Sequence, residues 1–362
     1  MIINFLTYYN QFRYNYHIKT KGLIMAQHFL LSSEARTLSI VKIAMMSDEE
    51  IHEIFKNIRW AETNGEPTCP CCGSVRSPYN IKSRQQYRCK DCFHTFSVTS
   101  GTLFAHHKMP LKIYLLAIAI FTNSVKSLSA LQLSRELDVQ YKTAWVLSHK
   151  IRESLLDDEN EELLEGTCEI DGVYVGGKTR QVNKIADRVD RRTINHPNKR
   201  VVISLRQRAN IFDKEIGAVK TKTFVLKSEN AIDIKNIVSL NVKKGSEIHA
   251  DEATAYDDLH ALYEMKRVNH QIEYCGSKGE NNNQSESYNA RFRRMQYGQC
   301  HHLSPLYLSN YANEIAYRED TRRWSNGKIA NNILTRCLSK KTSNEFSGYW
   351  QGNKRVAERL GA

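Results

Sequence analysis

The chain has 362 residues, room for two or three domains and at least one large core, and its hydrophobic fraction of 41% is ordinary for a globular protein. Fifty-two Lys and Arg against 39 Asp and Glu leave a net charge of +13, which favours a polyanionic partner, nucleic acid first. No stretch approaches the roughly 20 apolar residues of a membrane span; the longest apolar run, 114–121, fits a buried helix, so no membrane partner is expected.

Residues 1–45 read as a poorly defined N-terminal extension. Within it, 1–24 is rich in Tyr and Asn and has no Asp or Glu, and Met25 opens a more ordinary sequence, which suggests an upstream start codon. Ser47-Asp48-Glu49-Glu50 has the form of a helix start, with acids in the first turn, and Ile51, Ile54, Phe55 and Ile58 repeat at helical spacing. A helix plus a ribbon is expected over 46–104. Cys69-Pro70-Cys71-Cys72 and, after sixteen residues, Cys89-Lys90-Asp91-Cys92 have the layout of a zinc ribbon. Cys69, Cys72, Cys89 and Cys92 are the expected Zn²⁺ ligands, and Cys71 is spare. Gly73 suits a positive-φ turn after the first pair, and Tyr87 and Phe93 are expected to form the small core. A disulfide or redox pair is the rival. It is disfavoured because no secretory signal precedes the motif and Cys168, Cys275, Cys300 and Cys337 are scattered singly, as in a reducing cytosol. A closed four-thiolate site folds the module and does no chemistry.

A helical segment follows over 105–160. Helices are predicted at about 110–122, 129–137 and 140–156, and the short turn Asp138-Val139-Gln140 between the last two makes a helix-turn-helix pattern. A plain helical bundle fits the pattern equally; beside a ribbon in a basic chain, DNA binding is favoured, with Tyr141, Lys142, Thr143 and Lys150 available to DNA. The acidic run 157–162 reads as a solvated linker or helix end.

Strands and helices alternate over 166–323. Strands are predicted at 167–175, 200–205, within 216–226 and at 247–250. Helices are predicted at 231–240, 253–263, 284–296 and 305–323, giving a mixed α/β sheet covered by helices. Residues 178–200 hold eight Lys or Arg and two Asp, and read as a basic loop suited to phosphate backbones. Residues 324–362 read as a basic C-terminal tail. Asp171 and Asp251 stand at strand ends and Glu286 begins a helix. Three such acids can hold two Mg²⁺ about 4 Å apart for phosphoryl transfer, and oxygen donors suit Mg²⁺ or Mn²⁺ rather than zinc. Taken alone the triad is weak, because acids at strand ends are common.

The chain resembles the zinc-ribbon insertion-sequence transposases of bacteria, within the DDE superfamily with its RNase H-like catalytic fold. The residues that carry the resemblance are Tyr87-Arg88-Cys89-Lys90-Asp91-Cys92, the segment 96–104, Glu169-Ile170-Asp171 with 174–178, His249-Ala250-Asp251, Asn283-Gln284-Ser285-Glu286, 293–298, His301-His302 and Tyr311. It implies a multidomain α+β protein: an N-terminal zinc ribbon, a helix-turn-helix segment and an RNase H-like α/β catalytic domain with a mixed sheet. It implies Asp171 and Asp251 as metal-binding aspartates. The third position is Glu286, which brings full charge, with Asn283 three residues earlier on the same helix face as neighbour or substitute. Arg293, seven residues on, stands where the family usually shows Lys and is expected to contact phosphate. Arg191, Arg192 and Arg294 join the expected DNA contacts. Gly172 stands where the family often places an acid, so an auxiliary carboxylate is missing, and Glu169, on the same side of its strand as Asp171, is expected to compensate. His301 and His302 diverge as neighbours and are not expected to be ligands.

The implied function is a metal-dependent DNA transposase, with Mg²⁺ or Mn²⁺ at the catalytic site. It would bind terminal inverted repeats, cut the element's ends and transfer the freed 3′-OH into target DNA. It would act in the cytoplasm at the nucleoid as a homodimer or higher oligomer on DNA. The rivals are a non-catalytic DNA-binding regulator derived from a transposase and an RNase H-like nuclease.

Overall fold

Ser47 starts the first long helix by a reciprocal cap. Its Oγ accepts from the Glu50 backbone N–H (3.2 Å), and the Glu50 carboxylate accepts from the Ser47 N–H (2.7 Å). That helix belongs to the first of two units in a computed structural model that describes residues 29–156, 162–177, 183–188, 196–210, 217–268 and 281–361. The first unit runs to Ser124 and takes in Arg323–Thr342; the second comprises Val125–Arg322 and the chain from Ser343.

In the first unit, α1 (Ile40–Met45) and α2 (Asp48–Arg59) lead into a three-stranded antiparallel ribbon, β1 (Tyr79–Ile81), β2 (Gln86–Arg88) and β3 (Thr95–Ser97). Tyr87 packs against Phe96, and Trp60 meets both rings edge-on. Phe93 does not join this core. It follows Cys92 at φ +58° and turns outward, 62% exposed, beneath the Arg88 guanidinium. A tight turn that aims thiols inward leaves its last side chain in solvent. The helix α3 (Leu111–Asn123) buries Tyr114, Leu115 and most of its second half. The stretch 324–362 is more than a tail: Asn326–Ser339 is a helix packed on α2 and α3, and the Cys337 carbonyl accepts from the Leu103 N–H (3.3 Å). Its buried Ala330, Ile333, Leu334 and Cys337 repeat at helical spacing.

The second unit begins with α4 (Ala130–Glu136) and α5 (Tyr141–Ser154), joined through Asp138 at φ +51°. The expected helical segment 105–160 is thus divided, α3 lying in the first unit and α4–α5 in the second. Five strands follow: β4 (Thr167–Val175), β5 (Arg200–Arg208), β6 (Ala218–Leu226), β7 (Glu247–Ala250) and β8 (Glu264–Arg267). Their order is β6-β5-β4-β7-β8. The first three form an antiparallel meander, β7 runs parallel to β4, and β8 parallel to β7. The 253–263 region is a 3₁₀ segment, Thr254–Ala261, ahead of β8. β8 is short and charged, as edge strands often are, so it carries no apolar alternation that would announce it.

Alternation along the strands builds two cores. Ile170, Ile203, Leu205 and Phe224 face α6 (Ala231–Asn241), Tyr256 and Leu259. Val173, Val175, Val202 and Val225 face α7 (Asn283–Met295) and α8 (Leu308–Asp320). α5 packs on α8 through a buried ion pair, Arg152 Nε to Glu314 Oε2 at 2.7 Å, while Arg318 takes the other Glu314 oxygen. Among the described residues no helix is long and apolar enough to cross a membrane.

Candidate active site

The four ribbon sulfurs lie within 4.8 Å of one another, with Cys69–Cys92 at 3.6 Å and Cys72–Cys89 at 3.7 Å. A tetrahedron of Zn–S bonds of about 2.3 Å has edges of about 3.8 Å, so the quartet fits Zn²⁺ as it stands. Gly73 adopts φ +72° with nothing near its missing Cβ, so backbone conformation is what demands glycine there. N–H groups of Cys92 and Asp91 hold the Cys89 thiol down to about 7, favouring the thiolate a metal needs. Cys71 is exposed.

The carboxylates gather where the sheet is open. β7 pairs with β4 only over Thr167–Glu169, so that pairing stops short of Asp171. Asp251 follows β7 directly, and its Oδ1 accepts from the Ala253 N–H (3.0 Å). Glu286 lies in the first turn of α7 and is exposed. Asp171 Oδ1 accepts from the Gly172 N–H (2.7 Å) and its Oδ2 from Asn289 Nδ2 (2.8 Å). Burial pushes the Asp171 carboxyl up to about 7. The Gly172 hydrogen bond opposes this, and the charges of Asp251, Glu229 and Glu286 add to it. These four acids therefore share one electrostatic neighbourhood, though no three of their oxygens close up as the four thiols do among the described residues.

This donor set fits a divalent ion of the Mg²⁺ or Mn²⁺ type. It is all oxygen, burial with neighbouring negative charge raises one of its carboxyls, and the Asn289 Oδ1 beside it is buried with no hydrogen-bond partner among the described residues. Asn283 is exposed in the first turn of α7. Glu169 does not compensate for the glycine at 172. It is fully buried, pairs with Arg208 Nε (2.6 Å), and accepts the backbone N–H groups of Gln284 (2.7 Å) and Ser285 (3.0 Å). It thereby satisfies orphan donors at the N-terminus of α7 and pins that helix to β4. The same side of the strand that suggested a metal ligand delivers a helix anchor.

Sequence reasoning overlooked three residues. Asn289 was signalled only by lying three positions after Glu286. Asn282, fully buried, donates to the Ile170 carbonyl (3.1 Å) and sets α7 beside β4. Glu229 precedes the Asn230 cap of α6, and Tyr256 Oη donates to it; an acid in a strand-to-helix loop gives no local signal.

Of the expected DNA contacts, Tyr141 and Lys142 are exposed at the start of α5, with Lys142 Nζ 4.9 Å from the centre of the Trp350 ring, and Thr143 is half-buried. Lys150 is buried instead, in a stretch of α5, Leu147 to Arg152, that is buried all round, with α4 and α8 both packed on the helix. Arg293 and Arg294 are exposed near the end of α7. Arg191 and Arg192 lie outside the described residues.

Two protein families match this chain. Residues 46–95 match the transposase zinc-ribbon domain, and residues 163–320 match the ISXO2-like transposase domain of the IS1595 type. Together they cover more than half of the sequence. A protein of Halobacterium salinarum, described as an uncharacterized protein in transposable element ISH50, is 35% identical over 132 residues. The match covers 36% of this chain and 42% of that protein. With a thiolate quartet inside one matched region and the gathered carboxylates inside the other, the chain belongs to the zinc-ribbon insertion-sequence transposases of the DDE superfamily.

Proposed function

We propose that this chain cuts the ends of its own insertion sequence and joins them to target DNA by metal-dependent phosphoryl transfer. What supports this most is the place of Asp171, beside the stretch of β4 that β7 leaves unpaired, where burial raises its carboxyl to about 7 and the charges of Asp251, Glu229 and Glu286 add to the rise. Asp171 and Asp251 would hold the metal from the sheet and Glu286 from α7. A bound Mg²⁺ or Mn²⁺ pair supplies activation of a water or 3′-OH and charge neutralisation at the leaving oxygen. Asn289 orients the Asp171 carboxylate, Glu169 and Asn282 fix α7 against β4, and Arg293 and Arg294 contact phosphates. The ribbon and the α4–α5 pair would bind the terminal repeats, with Tyr141, Lys142 and Thr143 facing DNA. Two ends must be cut together, so the working form would be a dimer or higher oligomer on DNA.

The test is cleavage of a labelled duplex bearing the element's end beside one with that end shuffled, in Mg²⁺. Nicking at the end alone supports the proposal. Equal cutting of both would indicate a nuclease of the same fold, and tight end binding with no cutting would indicate a regulator.

A further inference from the structure

Gly172 is a glycine for want of space. Its φ lies outside the left-handed region, so β4 itself would accept a side chain there. A Cβ at this position would stand 3.0 Å from Val201 Cγ2 and 3.1 Å from each oxygen of the Glu229 carboxylate. A carboxylate from another element therefore fills the space above the residue that follows Asp171. Asn230, next in the chain, caps α6 by accepting from the Asp233 N–H (2.9 Å), which fixes the backbone that presents Glu229. The hydroxyl of the fully buried Tyr256 donates to the Glu229 carboxylate, which remains half-buried, lies near Tyr174, and is close enough to Asp171 and Asp251 to act on both electrostatically.

We propose that Glu229 is a fourth carboxylate of the metal centre, delivered from the start of α6 to the place that position 172 leaves open, and steered by Tyr256. This rests on reading Asp171, Asp251 and Glu286 as a divalent-metal site. A Glu229 that serves only as acceptor for Tyr256 would act on the metal through distant charge alone, and would change its affinity by well under tenfold when the charge is removed but the acceptor oxygen kept. Glu229→Gln makes that change.

The experiment is a Mn²⁺ titration of the zinc-loaded full chain, followed by the electron paramagnetic resonance of free Mn²⁺, with no DNA present. The wild type should bind Mn²⁺, Asp171→Asn should bind it weakly, and Glu229→Gln should lose at least tenfold in affinity. A double variant, Glu229→Ala with Gly172→Glu, returns a carboxylate to the same space from β4 and should recover affinity. A loss well under tenfold in Glu229→Gln overturns the proposal while leaving the metal site standing. No Mn²⁺ binding by the folded wild type overturns the metal site and the proposal with it. Should Glu229→Gln not fold, the double variant decides: affinity near wild type supports the assignment, and weak binding by a folded double variant overturns it.

Discussion

Asn289 Nδ2 donates to Asp171 Oδ2 across 2.8 Å, tying the helix that carries Glu286 to the strand that carries the first aspartate. The bond sets the carboxylate's orientation, and orientation matters more to phosphoryl transfer than to folding. Asn289→Ala should cost about 1 kcal/mol of stability, the ordinary worth of one hydrogen bond. It should lower the rate of end nicking by about tenfold or more, an amount equal to about 1.4 kcal/mol in the barrier. A thermal melt beside a single-turnover nicking assay checks both.

Asp171 predicts a pH dependence with a definite sign. Its folded pKa of about 7 lies above the ordinary 3.8, so between those values the folded chain holds a proton that the unfolded chain has lost. In metal-free protein its contribution to stability therefore falls as pH rises from about 4 to about 7 and is level on either side. Asp171→Asn should flatten that slope in denaturant titrations. Metal binding should displace the same proton, so Mn²⁺ affinity should rise with pH up to about 7 and then level off.

The ribbon should depend on its metal. Zinc removal by a chelator, or Cys89→Ser, should unfold residues around β1 to β3, since the module's own core is little more than Trp60, Tyr87 and Phe96. Amide hydrogen exchange should show rapid exchange over 69–97 and unchanged protection in β4 to β6. Protection that survives chelation in the ribbon would contradict the zinc assignment.

Burial divides the residues of α5. Arg152→Met leaves Glu314 buried with, among the described residues, only Arg318 as an ionic partner and should destabilise the second unit by about 3 kcal/mol or more. Lys150→Ala should act on stability, whereas Lys142→Ala should weaken end binding and reduce the salt dependence of affinity by about one phosphate contact. Binding isotherms at three salt concentrations separate the two lysines.

The ribbon was readable because thiol spacing alone determines how four sulfurs converge, and the strands at 167–175 and 247–250 because apolar runs marked them. Asp251 and Glu286 were readable as acids at element ends, whereas Asp171, also expected at a strand end, lies in the middle of β4, where β7 running beside that strand brings the Asp251 charge near it. Glu169 shows what spacing could not supply. Period-two alternation places it on the same face as Asp171, but its chemistry is decided by the N-terminus of α7 arriving over it, a contact 115 residues away in sequence. Glu229 stayed hidden for the same reason, since it reaches the site through tertiary placement of a loop. Lys150 looked available because a helical period cannot tell how many partners will cover a helix; both α4 and α8 pack on α5.

The most direct test compares wild type with Asp251→Asn on a labelled duplex that carries the element's own end, in Mg²⁺ and then Mn²⁺. The wild type should nick site-specifically, and the nicking should vanish in the variant while end binding persists. Tight end binding with no nicking by either protein in either metal would contradict the proposed chemistry.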